Sequence, residues 1–158
     1  MIPSDHFVRY YNEVFKALEA KGHQHLQAYW REIGELQKKE LAESFRRGGI
    51  KACYEYWARI LKEENCVGRL TLTDDYFEFR MDICPSLSKA LDNDAGAFAF
   101  YCDHCMGWIE PLMAASGLHA VQDVESRTEA HCLLRVYVDK QKADAFARQC
   151  RLAVKPYD

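Results

Sequence analysis

The chain has 158 residues, enough for one domain with a sizeable buried core. Apolar residues make up 49% and charged residues 28%, and the net charge of −3 gives no electrostatic ground for a nucleic-acid partner. No apolar run is long enough to span a bilayer, and the opening MIPSDHFVRYYNEV has neither a basic n-region nor an apolar h-region, so the chain reads as cytoplasmic, with no membrane partner.

Residues 4–20 set Phe7, Tyr11, Val14, Phe15 and Leu18 on one stripe at helical spacing, and Gly22 stops that helix. A second helix is expected over 23–47, with Leu26, Trp30, Ile33, Leu36 and Phe45 on or near one face. Gly48 and Gly49 end it, because glycine tolerates the left-handed backbone of a C-cap. A third helix carries Ile50, Cys53, Tyr54, Trp57, Ile60 and Leu61. The Glu/Lys pattern over 32–43 reads as a solvated helix face.

The character changes at Cys66. Val67, Leu70 and Leu72 lead into the turn-forming Thr73-Asp74-Asp75. Residues 76–83 then alternate: Phe77, Phe79, Met81 and Ile83 point one way, and Tyr76, Glu78, Arg80 and Asp82 the other, as in a half-buried hairpin strand. Pro85 suits the first turn of a short helix over 86–91. After a loop over 92–96, residues 97–115 read as helix, bent or broken at Pro111 and ended by Gly117. A second hairpin is expected from strands 119–126 and 130–138 around Arg127-Thr128-Glu129, and Asp139 caps a last helix with Ala143, Phe146, Ala147 and Cys150 inward. This order predicts an α+β fold: an antiparallel sheet of about four strands, made of two ββ hairpins, packed against helices. It reads as a single domain over 1–158, with a helical segment over 1–64 and a ligand- or metal-binding core over 65–158.

Seven cysteines need an account. Without an export signal the compartment is reducing and disulfides are not expected, and an odd count forbids full internal pairing. Core filler, metal ligand and reactive thiol remain. Cys53, Cys66 and Cys150 read as core filler. The other four follow C-x17-C-x2-C-x26-C: Cys84 in a Cys-Pro step, Cys102 and Cys105 inside Y-C-D-H-C-M-G-W, and Cys132 after His131. A spacing of three puts Cys102 and Cys105 on one helix face or in a metal knuckle. Plain packing stays open for Cys84 and Cys132. Strand parity puts Cys132, Leu134, Val136 and Val138 on one face and His131, Leu133, Arg135 and Tyr137 on the other, so a regular strand cannot aim His131 and Cys132 at one point.

Asp103 and His104 lie between the paired cysteines, rotated from their face on a helix. A histidine near a cysteine lowers the thiol pKa and serves as general base, and an aspartate holds that histidine in one tautomer. Glu110 falls roughly in line with Cys102 and Cys105 as a carboxylate ligand or base. All three also read as exposed polar residues of a helix. Trp108 reads as core, and Tyr101 as packing or as a phenol offered to a small molecule. No P-loop, G-x-G-x-x-G, H-E-x-x-H or G-x-S-x-G occurs, so no nucleotide cofactor is expected.

At Cys84-Pro85, Tyr101-Cys102-Asp103-His104-Cys105 and His131-Cys132-Leu133, the chain resembles the L-2-amino-thiazoline-4-carboxylic acid hydrolase-like family. More distantly it is similar to the vinyl-reductase-type small-molecule-binding domains. The resemblance covers roughly 66–138. It implies an α+β domain with a ligand pocket between helices and sheet, and zinc held near the final hairpin by Cys132 and, by position, Cys102 or Cys105. Relatives often carry Gly-Asp before the hairpin cysteine, where this chain has Arg127-Thr128-Glu129-Ala130.

The expected function is therefore that of a small hydrolase of a C–N or C–S bond in a compact sulfur- or nitrogen-containing acid or heterocycle. Two mechanisms fit. Zinc or iron held by Cys84, Cys102, Cys105 and Cys132 generates hydroxide, or Cys105 (or Cys102) is a nucleophile assisted by His104. A non-catalytic small-molecule- or metal-binding sensor module is the alternative, and the helix over 23–47 offers an interface for a homo-oligomer.

Overall fold

The structure, a computed structural model, describes residues 3–63 and 66–157. The expected boundary between a helical segment and a core, at 64–65, lies outside the described residues. The elements run α1 (Pro3–Glu19), α2 (His23–Glu63), β1 (Val67–Leu72), β2 (Tyr76–Ile83), α3 (Pro85–Leu91), α4 (Asp103–Ser116), β3 (His119–Asp123), β4 (Cys132–Tyr137) and α5 (Lys140–Ala147). The four strands form one antiparallel sheet in the order β1-β2-β4-β3, so the fold is α+β as expected.

The alternation of β2 sets the layers. Phe77 and Phe79 are buried with Leu134 and Val136 of β4 on the inner face, where Phe77 meets Tyr54 and Trp57 of α2. The other face is shared. Over β3 and β4 lies α5, burying Val121, Tyr137 and Ala143 in a smaller cluster. Elsewhere on that face Arg69 pairs with Asp82, Arg80 with Glu125, and Arg135 with Glu78.

The expected stop at Gly48-Gly49 is a break within α2. Gly49 has φ 58° and ψ −147°, a conformation essentially confined to glycine, and helix resumes at once on its far side. The first arm packs against α4 where two glycines allow close approach. A Cβ on Gly107 would lie 2.8 Å from Trp30 Cβ, and one on Gly34 would lie 2.9 Å from Pro111 Cγ.

Three expectations are corrected. First, Pro111 does not break α4, which is continuous through it. Proline has no N–H for the carbonyl four residues back, that of Gly107, and the Tyr157 hydroxyl donates to that oxygen instead. Second, α4 starts at Asp103 rather than at residue 97. Asn12, fully buried in α1, donates through Nδ2 to Gly96 O (2.9 Å) and accepts at Oδ1 from Phe98 N–H (2.8 Å), which holds residues 96–98 in an irregular, non-helical path. Third, the strands of the second hairpin are shorter than expected. β3 ends at Asp123 and β4 begins at Cys132, while Ser126 Oγ accepts the N–H groups of Thr128 and Glu129 in the connecting loop. The outer edge of β3 is covered by the C-terminal stretch, with Val124 N donating to Leu152 O and Val154 N to Gln122 O. Asp139 caps α5 as expected, accepting from the N–H groups of Gln141 and Lys142. Cys150 lies beyond the end of that helix and donates to Phe146 O.

Candidate functional site

Four elements bring the four cysteines together. Cys84 ends the path of β2 and is the N-cap of α3, where its Sγ accepts the N–H of Leu87 (3.3 Å). Cys102 is the N-cap residue of α4, and Cys105 lies in the first turn. Cys132 opens β4 opposite Met81 of β2, on the inner face. All four line one cavity of about 110 Å³ between the sheet and helices α2, α3 and α4. Its walls are mostly apolar, with Trp57, Phe79, Met81, Leu87, Ile109 and Leu134 among them, and among the described residues no lysine, arginine, aspartate or glutamate contributes.

Burial dominates the electrostatics. It pushes the thiols of Cys84 and Cys105 up to about 11 and that of Cys102 up to about 12, and it raises Cys132 as well. Cys105 adds to the rise at each of the other three, so it is their common neighbour. All four are neutral thiols at pH 7. The Tyr101 phenol is also raised by burial and shares a hydrogen bond of 2.8 Å with Ser86 Oγ.

His104 is buried, 4% exposed, and not turned to solvent. Its ring is boxed by Trp108, Tyr101 and Phe15, with centroids 4.5, 4.8 and 5.4 Å away. Because α4 is covered by helices α1 and α2 as well as by the sheet, rotation away from Cys105 leads into aromatic packing rather than into water. Nδ1 donates to the Tyr101 carbonyl, which leaves the Nε2 lone pair facing the Cys105 thiol 3.6 Å away. Burial lowers the imidazole to about 4, so the ring is neutral.

Asp103 does not orient this histidine, since the Tyr101 carbonyl takes that role and Asp103 pairs with Arg127 (2.7 Å). Glu110 is not at the cavity either. It lines a separate cleft of about 500 Å³ between α4, β3 and α5. His131 does reach the cavity. It precedes β4, with its N–H bonded to Glu129 O, so strand parity does not govern it.

Sequence reasoning missed Gln122 and Ser86. Gln122 sits on β3 opposite Leu134, is 4% exposed, and donates through Nε2 to Cys132 Sγ (3.8 Å). It also hydrogen-bonds Cys105, opposing the effect of burial there. Its signal is visible in retrospect: Gln122 is in phase with Ala120 and Val124, a polar residue at inward-facing positions. Cys105, Trp57 and Ile109 also line a cleft of about 170 Å³ between α2 and α4, so the Cys105 side chain forms part of the wall between two voids.

Among the described residues no group of three or more His, Cys, Asp or Glu side chains could hold a metal ion. Cys84 Sγ is engaged in a helix cap and Cys132 Sγ with Gln122. No helix among the described residues is long and apolar enough to cross a membrane. The chain matches no family model, and comparison with curated proteins and with solved structures returns no match.

Proposed function

We propose that this chain is a hydrolase of a C–N or C–S bond in a small, compact molecule, with Cys105 as nucleophile and His104 as its base. The observation that supports this reading is the Cys105 Sγ–His104 Nε2 contact of 3.6 Å, with the tautomer held by the Tyr101 carbonyl, at the wall of a ligand-sized cavity. A 2-aminothiazoline-carboxylate-like heterocycle is the type compound. Since no lysine or arginine among the described residues lines the wall, a carboxylate on the substrate would be met by His131 or remain outside the cavity.

Both partners start neutral. As Sγ bonds to the electrophilic carbon, the thiol proton passes to Nε2. The C–N or C–S bond then breaks and the leaving nitrogen or sulfur takes that proton. Water attacks the thioester- or thioimidate-like carbon, yielding its proton to Nε2. The C–Sγ bond breaks as the proton returns to Sγ. Reactant and water become one ring-opened product when the cleaved bond lies in the ring, or two products when it is exocyclic, and the enzyme is restored. Burial in the aromatic box weakens the imidazole as a base, so it carries the proton only transiently, and the box limits the access of bulk water to the dyad.

The test is turnover of a panel of cyclic amidines, isothioureas and small amides by wild type, Cys105→Ala and His104→Asn, with mass spectrometry of the quenched reaction. A covalent adduct on Cys105 is expected, with a loss of at least about 100-fold in each variant. Full turnover by Cys105→Ala refutes the reading. Saturable binding with no product assigns the chain to the non-catalytic binding class. Stoichiometric zinc or iron in the purified protein, with activity lost on chelation, moves the chemistry to a metal.

A further inference from the structure

We infer that Gln122 is a specificity-determining residue of the thiol cavity, its amide oxygen accepting a hydrogen bond from a ligand N–H. The inference rests on the cavity being the ligand site, though not on any turnover there.

Gln122 is nearly fully buried, on a strand face otherwise given to Ala120, Leu134 and Val136. A side-chain amide has two N–H donors and one acceptor oxygen to satisfy. The nitrogen is placed: Nε2 donates to Cys132 Sγ at 3.8 Å, and the Gln122 side chain opposes the effect of burial on Cys105. The oxygen is not. Gln122 Oε1 is buried with no hydrogen-bond partner, and Gln122 lines the cavity. An unpaired buried acceptor is a standing cost to the fold that a correctly placed donor removes.

No other group at the cavity supplies that donor. Tyr101 and Ser86 bond to one another, His104 spends its one N–H on the Tyr101 carbonyl, and the Cys105 thiol faces His104 Nε2. A ligand N–H entering the cavity can supply it. The surrounding wall defines the enclosed part of the ligand as small and mostly apolar, because among the described residues no lysine, arginine, aspartate or glutamate faces the space. Since the nitrogen of the same amide donates to Cys132 Sγ, an N–H bonded to Oε1 places the adjoining atoms of the ligand near the thiols. A site that reads one N–H rejects the analogue lacking it, because the buried oxygen is then left unpaired.

The experiment measures binding of pyrazole and of 1-methylpyrazole to the full chain by calorimetry or protein-observed NMR. Pyrazole is a neutral, compact ring with one N–H, and its methyl analogue has none. Wild type is expected to bind pyrazole about tenfold tighter or more, the value of one neutral hydrogen bond. In Gln122→Met the ratio between the two should fall to near one, and Gln122→Leu gives the same comparison if the methionine variant does not fold. The readout is binding alone, so the role of Gln122 is tested even if the chain proves inactive as a hydrolase. Equal affinity for the two rings in wild type, absence of pyrazole binding, or a preference that survives Gln122→Met overturns the inference.

Discussion

His104 makes the stability of this protein depend on pH in a narrow window. Its imidazole is boxed by Phe15, Tyr101 and Trp108 and is held at about 4 by burial, against 6.5 for the free side chain. The Tyr101 carbonyl and Asp103 both favour the charged ring, and Arg127 pairs with Asp103, so burial wins against two opposing effects. Above about pH 6.5 neither state holds the proton and stability is unaffected. Between about 6.5 and about 4 the unfolded chain binds a proton that the native state refuses, so stability falls as pH falls. The two values give a loss of about 2 kcal/mol from pH 7 to pH 5 and about 3 kcal/mol once the native ring titrates. Carboxylates titrate over part of the same range, so the measurement is a difference. Urea unfolding is followed from pH 7.5 to pH 4.5 for wild type and for His104→Asn, whose amide still donates to the Tyr101 carbonyl and does not ionise. The stability gap between the two should change by about 2 kcal/mol over that range, with wild type losing ground as the solution is acidified. A gap constant to within about 0.5 kcal/mol, or a His104 ring whose NMR shifts titrate with a midpoint near 6.5, refutes the reasoning.

Other outcomes are equally accessible. Asn12→Ala removes both hydrogen bonds that hold residues 96–98, and should cost about 2–4 kcal/mol in urea unfolding, with loss of hydrogen-exchange protection at the Phe98 amide. Gly49→Ala forces a side chain into a backbone conformation reserved for glycine and should destabilise by about 1–3 kcal/mol, read as a lower urea midpoint. Tyr157→Phe leaves the Gly107 carbonyl without a donor and should cost about 1 kcal/mol in the same assay. At pH 8 a thiol held at about 11 is ionised to roughly one part in a thousand, so Cys84, Cys102 and Cys105 should be alkylated far more slowly in the native protein than in urea. Site-resolved mass spectrometry reads this directly, and equal native and denatured rates would show that these thiols are not enclosed.

Local signals carried most of the fold. The period-two pattern through Phe77, Phe79 and Met81, the Thr73-Asp74-Asp75 turn, the glycine break at Gly49 and the Asp139 cap are written within a few residues of where they act, and each appears where expected. The convergence of Cys84, Cys102, Cys105 and Cys132 was legible too, because each sits at or beside the end of an element on the inner side. Long-range groups decided the rest. Residues 97–102 have helical composition but yield to Asn12, which lies more than eighty positions away in the chain. His104 looks solvent-facing on a helical wheel because a wheel does not record that α4 is covered on several sides. His131 escaped the parity rule because β4 begins one residue after it. Gln122 carried a period-two clue, but its significance lies in an orphaned oxygen, which only the assembled neighbours reveal.

The first helix contributes no sulfur and no titrating group to the cavity, yet Phe15 packs on both Tyr101 and His104 while Asn12 anchors the segment that delivers them. The surroundings of the cavity are thus assembled from distant parts of the polypeptide, and the earliest part acts as their mould. Trimming α1, or loosening it from α2, would free the Tyr101 carbonyl and the imidazole together, so the thiol would lose its proton acceptor while the strands behind it still stood.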